Sequence, residues 1–277
     1  DGLDKLLRRS LQTANDEYET LPDFSQILAQ KAKDYRIDFQ ASKPTVAVNL
    51  IGINVAVWFF LYLVAIFLQI EFDALLQLGW KENASIIHGQ YWRLLTPIFL
   101  HAGPLPGPFP LSLHLLVNCY SLYVLGQYVE RIYGHGKFLA MYLAAGILGN
   151  IASFAFSPHP AVGASGAIFG LLGAMVYYGV ENPKVYKKYF GSNIIATILL
   201  NIFIGFTLGG GIIDNFGHLG GLAGGFLAAG IVRVKARPDQ FPSRYLFLAL
   251  TLLLAAIGLY YGFHHWGQIL QIAVMGN

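Results

Sequence analysis

The sequence predicts an all-α polytopic membrane protein, and three observations carry that prediction. Apolar residues fill 55% of the 277 positions and charged residues only 12%, against the roughly one-quarter charged composition of a soluble domain. The mean hydropathy is +0.52. The apolar residues gather into seven runs, over 46–70, 111–129, 138–156, 161–180, 192–208, 212–232 and 245–263, most of them close to the roughly 20 residues that a helix needs to cross the hydrocarbon core. One compact membrane domain is expected. A net charge of +3 is too small to suggest a nucleic-acid partner, and a single cysteine, Cys119, excludes an intramolecular disulfide.

Residues 1–44 are polar, with Leu3, Leu6, Leu7 and Leu11 at helical spacing, and read as a short, partly helical soluble tail. Pro44 ends it. The first apolar run leads into a long connection, 71–110, whose Trp80, Tyr91, Trp92 and Phe99 suit a membrane interface. Its last segment, Pro104-Leu-Pro-Gly-Pro-Phe-Pro110, has too many prolines for a helix and reads as a stiff linker. The remaining runs follow with short connections. Orientation comes from the cations. If the tail is cytoplasmic, that side also receives Arg131, Lys137, Lys184, Lys187, Lys188, Arg233, Lys235, Arg237 and Arg244, and only Lys81 and Arg93 of the 18 Lys and Arg residues remain outside. The expectation is therefore an N-terminus inside and a C-terminus outside.

Polar groups inside spans are costly and mark functional candidates. His114 and Asn118 lie four apart in the second run, hence on one helix face; Ser165 lies in the fourth and His218 in the sixth. Those three runs start at the same leaflet. Each polar group falls about three to seven residues in, a depth of about 5 to 10 Å, so four polar groups converge on one layer. Small residues recur every fourth position beside them, as Gly166, Gly170 and Ala174 and as Gly217, Gly221 and Gly225, a pattern that lets helix backbones approach closely.

A serine hydroxyl attacks poorly unless a base takes its proton, and a neutral histidine suits that task. Ser165 and His218 are accordingly the candidate nucleophile and base. The backbone N–H of Ser165 at its helix start, with the side chains of His114 and Asn118, are candidate oxyanion donors. Asp214, four residues before His218, is either an orienting carboxylate or a helix cap. No metal site is expected, because there is no His-Glu-x-x-His and no carboxylate cluster in the spans. His88, His101, His135, His159, His264 and His265 fall at loops or span ends and read as solvated. Glu130 and Arg131 with Gly134 read as an ion pair or turn element. Asn83-Ala-Ser85 has the form of a glycosylation acceptor, meaningful only in a secretory pathway.

Taken together, Trp92-Arg93, His114-x-x-x-Asn118, Gly163-x-Ser165-Gly166-x-x-x-Gly170 and His218-x-x-Gly221-x-x-x-Gly225 resemble the rhomboid intramembrane serine proteases over roughly 90–232. The resemblance implies a six-helix core over 45–235, with the external loop 71–110, followed over 236–277 by a seventh transmembrane helix and a short external C-terminus. It implies Ser165 as nucleophile, His218 as base, and an oxyanion hole of His114, Asn118 and the Ser165 backbone. Phe169 stands where the family often stacks a tyrosine on the catalytic histidine. Gly163, Gly166, Gly170, Gly221, Gly225, Trp92 and Arg93 are supporting positions. No cofactor is implied; the implied partners are transmembrane protein substrates and membrane lipid, and a bacterial inner membrane is the expected location. Two alternatives stay open on the residues: a catalytically silent relative that binds membrane proteins, and a small-solute transporter. The stretch between His101 and His114 is longer and richer in proline than the resemblance leads one to expect.

Overall fold

The computed structural model of the chain describes Lys5, Gln12, Ile37 and residues 39–41, 43–105, 112–207, 213–235 and 241–275. Asp38–Asn277 form one compact unit. Most of the expected helical tail, and the linker from residue 106 onward, lie outside the described residues.

The first apolar run carries no charge and folds as helix α1, Thr45–Leu68, 24 residues or about 36 Å long. Its first N–H groups have no intrahelical acceptor. Glu130, fully buried, supplies one from elsewhere in the chain: its carboxylate accepts from Val46 N at 2.8 Å and Ala47 N at 2.7 Å, and His135 Nδ1 contacts it as well. Arg131 lies 4.1 Å from the Phe39 ring centroid. Of the two readings of Glu130 and Arg131 with Gly134, ion pair or turn element, the ion pair gives way to a helix cap and a cation–π contact, because the start of α1 offers the carboxylate two aligned donors.

The 71–110 connection holds α2 (Phe72–Leu76), α3 (Asn83–Ile87) and two 3-10 turns, Tyr91–Leu94 and Thr96–Phe99. Arg93, 6% exposed, ties these pieces together: it donates to Gln90 Oε1 at 2.7 Å, Gln77 O at 2.8 Å and Trp80 O at 2.9 Å. Trp92 stays exposed and donates from its indole to Leu78 O at 3.4 Å. Asn83 is buried and its amide donates to Ser157 O at 2.9 Å, so the acceptor sequence it begins presents no free amide.

The second run begins with α4 (Leu113–Ser121), widens through a π turn at Leu122–Gly126 and continues as α5 (Gln127–Tyr133). Gly134, at φ 86°, makes the turn that side chains disfavour. Next come α6 (His135–Phe156), α7 (Ser165–Glu181), α8 (Pro183–Tyr189), α9 (Gly191–Thr207), α10 (Asn215–Val232) and the 35-residue α11 (Phe241–Met275). Among the described residues, four helical segments are long and apolar enough to cross a membrane: Thr45–Leu68, His135–Phe156, Asn215–Val232 and Ser243–Ala273. The pair Pro183–Tyr189 and Asn193–Thr207, bent by 69°, makes a fifth if it is one span. The other two apolar runs fold as the interrupted helix α4–α5 and as the 17-residue α7. The chain is a polytopic α-helical membrane protein.

Helices α6, α7 and α10 form the tight centre. A Cβ on Gly166 would lie 3.3 Å from Gly217 O, one on Gly170 3.1 Å from Gly221 O, and one on Gly149 2.7 Å from Gly217 O. Side chains on Gly221 and Gly225 would run into the carbonyls of Gly166 and Gly170. The glycine ladders of α7 and α10 therefore interlock backbone to backbone, and α6 adds Gly149, which sits on a small-residue repeat of its own, Ala145, Gly149 and Ser153. Helix α11 leans on α6, where Trp266 donates to Phe154 O at 2.6 Å.

Candidate active site

Ser165 is the first residue of α7 and His218 stands in the first turn of α10. The interlocked glycines bring these helix starts together, and Ser165 Oγ lies 2.8 Å from His218 Nε2. The imidazole is held from two sides. Phe169, one turn into α7, stacks on it with ring centroids 4.2 Å apart and planes 9° from parallel. Phe169 is itself packed with Leu172 and with Ile198 of α9. The His218 N–H continues the helix to Asp214 O at 3.0 Å. The Asp214 carboxylate accepts from Gly217 N at 3.0 Å and so caps α10. Among the described residues no carboxylate is hydrogen-bonded to His218 Nδ1.

Gly163 is the pivot of the approach to Ser165. Its φ of 126° is closed to ordinary side chains, and its N–H donates to Pro97 O at 2.8 Å. A Cβ there would also collide with His114, 2.7 Å from Cε1 and 2.8 Å from Nε2, while lying 3.7 Å from Ser165 Oγ. The Nε2 edge of His114 is thus set over the backbone immediately before the serine. Ala102 N donates to His114 Nδ1 at 3.2 Å, so a neutral ring carries its proton on Nε2, facing that same space. As the first residue of its helix, Ser165 has an N–H with no intrahelical acceptor.

Asn118 lies on the same face as His114 and is buried. Its amide turns back along its own helix and donates one hydrogen to His114 O at 2.9 Å; the second hydrogen of that nitrogen is left over. Trp92 and Arg93 lie in the loop, where their partners are loop carbonyls and Gln90. A cavity of about 300 Å³ opens beside the start of α10, lined by Ser157, Pro158, His159, Phe206, Asp214 and Phe216.

His101 departs from the solvated reading of the loop histidines. It is 1% exposed and its ring packs against His114 at 5.3 Å. Burial pushes its pKa down to about 3, so it is neutral. The signal available in the sequence was its place in an apolar segment, Ile98-Phe-Leu-His-Ala102, which is how a packed histidine looks.

The fold and the site define a polytopic membrane protein with a serine and a histidine paired between two interlocked helix starts. The Rhomboid domain family matches residues 88–235, and the chain belongs to the rhomboid family. It is 44% identical over 226 residues to rhomboid protease GluP of Bacillus subtilis (strain 168), a match covering 82% of this chain and 42% of that protein. It is 34% identical over 191 residues to rhomboid-like protease 1 of Toxoplasma gondii, covering 64% and 61% respectively, and 33% identical over 172 residues to RHOMBOID-like protein 1 of Arabidopsis thaliana, covering 61% and 41%. The chain thus spans 42%, 61% and 41% of the length of these three relatives.

Proposed function

We propose that this chain is an intramembrane serine endopeptidase that cuts transmembrane segments of other membrane proteins near their external ends. The observation that carries the proposal is the 2.8 Å contact between Ser165 Oγ and His218 Nε2. A hydroxyl this close to an imidazole nitrogen passes its proton there as the oxygen attacks a carbonyl carbon. The tetrahedral oxyanion is received by the Ser165 N–H, His114 Nε2–H and the spare amide hydrogen of Asn118. The imidazolium then returns the proton to the leaving amine, and water releases the acyl group by the same steps reversed. Stacking on Phe169 keeps the ring facing Ser165. The pair works as a dyad, with Asp214 acting as a helix cap.

The substrate helix must unwind before its carbonyls can reach Ser165, because a helix keeps them hydrogen-bonded. A locally unstable helix favours cleavage for that reason, and the family resemblance implies small residues at the cut. The cation distribution supports an N-terminus in the cytoplasm and a site opening to the outside, as in a bacterial inner membrane. The relatives named proteases support the same class of activity. A fluorophosphonate probe added to the purified chain is expected to attach to one serine, identified as Ser165 by peptide mass. No adduct on Ser165, under conditions where a control serine protease is labelled, would contradict the proposal.

A further inference from the structure

Lys81 is a lysine with no exposed surface at all, lying in the external connection. Its Nζ donates to His159 O at 2.7 Å, Ser157 O at 3.0 Å and Asn83 Oδ1 at 3.2 Å, and approaches Ser153 O at 3.4 Å. The three carbonyl acceptors have one thing in common. Ser153 is in the last turn of α6, Ser157 is its C-cap, and His159 lies in the strap 157–164 that joins α6 to α7. The last carbonyls of a helix lack intrahelical donors and carry the negative end of its dipole, and an ammonium offers three hydrogens and a positive charge to them.

The same strap is bound to the loop at further points. Lys81 and Ala161 exchange backbone hydrogen bonds at 2.9 and 3.1 Å, the Asn83 amide donates to Ser157 O at 2.9 Å, and Gly163 N donates to Pro97 O at 2.8 Å. Two residues beyond Gly163 stands Ser165. The strap has no regular structure of its own, so the place of the serine relative to His218, on another helix, depends on what holds the strap.

We propose that Lys81, with Asn83, is a positioning residue for the Ser165–His218 pair: its ammonium fixes the strap 157–164 and thereby the geometry of the nucleophile. This rests on the protease reading above, and the experiment separates the two. Lys81 donates to neither Ser165 nor His218, so it acts through the strap.

The charge on Lys81 gives a readout that ordinary packing lacks. Burial pushes its pKa down to about 8, opposed by the carboxylates of Asp214 and Glu82. Those two carboxylates are the charged groups acting on it from α10 and from the loop; His159 contributes its carbonyl and keeps its ring exposed. Above about pH 8 the native amine has two hydrogens and no charge for the carbonyls, so the strap loosens. The sign for stability is opposite. Between the lowered native pKa and the ordinary value of 10.5 the unfolded chain holds the proton that the native state has lost, so stability rises with pH there.

The test uses the full chain in liposomes with a transmembrane reporter, measuring kcat, KM and thermal midpoint from about pH 6 to 10 for the wild type, Lys81→Arg and Lys81→Met. The expected result is a wild-type kcat that declines with a midpoint at about 8 while the thermal midpoint does not drop, a decline that Lys81→Arg removes because arginine stays charged. Lys81→Met should lose about 100-fold in kcat below about pH 8, where the wild-type amine is charged, as expected for an error of about 1 Å in placement, and the gap should narrow at higher pH, with KM nearly unchanged. A wild-type kcat flat or rising up to pH 10, or a Lys81→Met kcat within about twofold of wild type below about pH 8, overturns the inference. If Lys81→Met does not fold, the wild-type profile decides. Ser165→Ala runs alongside: full cleavage by it defeats the protease reading, whereas an inactive Ser165→Ala beside Lys81 variants of wild-type behaviour defeats the positioning role alone.

Discussion

His218→Ala is expected to lower cleavage of a transmembrane reporter by about 10⁴-fold, with fluorophosphonate labelling of Ser165 falling in parallel. The size follows from what the imidazole does. In the proposed mechanism it takes the proton from Ser165 across a 2.8 Å contact, gives it to the leaving amine and reprotonates the serine in the second half, and general base catalysis alone supplies about 10² to 10⁴. Oxyanion stabilisation and substrate binding remain in the variant, which is why the loss is finite. Because His218 is half-buried and, among the described residues, its ring stacks on Phe169 alone, the thermal midpoint should move by a few degrees at most. A variant that unfolds would show the ring to be structural, and one that cleaves normally would remove His218 from the mechanism.

Gly225→Ala is expected to have the second large effect, on stability and activity together. The added methyl meets the backbone of Gly170, which cannot rotate away as a side chain can. Helices α7 and α10 must separate or the residue must strain, at a cost of about 1 to 3 kcal/mol. The separation also pulls apart Ser165 and His218, which sit one on each of those helices. A shift of about 1 Å there costs about 100-fold in rate. Gly136→Ala is the matched control. It adds the same methyl near the start of α6, where nothing lies within 4 Å, and should leave rate and thermal midpoint unchanged or slightly raise the latter. Equal behaviour of the two variants in thermal unfolding would refute the backbone-to-backbone packing.

The contrast between those two glycines marks the limit of sequence reasoning. The apolar runs and the shared depth of His114, Asn118, Ser165 and His218 could be read from the residues, because length, hydropathy and helical rise are properties of a single chain segment. The ladders at 166, 170 and 217, 221, 225 were visible for the same reason. Gly149 lies on a further repeat of the same kind, Ala145, Gly149 and Ser153, but that its partner is the carbonyl of Gly217, on another helix, is not written in the spacing. Lys81 hid for a related cause. A lysine between tryptophan and glutamate in a loop looks solvated, and only the end of α6, about 70 residues on, makes burial tolerable by presenting its carbonyls. Glu130 likewise finds its donors at Val46 and Ala47 rather than beside it. Asn118 turned back to its own helix because a carbonyl four residues earlier is always within reach of an amide. The stretch between His101 and His114 is anchored where Ser112 Oγ and Trp58 Nε1 donate to Ala102 O at 2.7 and 3.0 Å, contacts that hold Ala102 against His114 despite the inserted prolines.

In the proposed mechanism Ser165 is the nucleophile that cuts a membrane-spanning segment. The most direct measurement of that role is the cleavage rate of a transmembrane reporter co-reconstituted in liposomes with either the wild-type chain or Ser165→Ala, the products being located by mass. The wild type is expected to make one cut near the reporter's external end and Ser165→Ala no product above background, although that variant keeps its thermal midpoint. Product formed at an undiminished rate by Ser165→Ala would contradict that role.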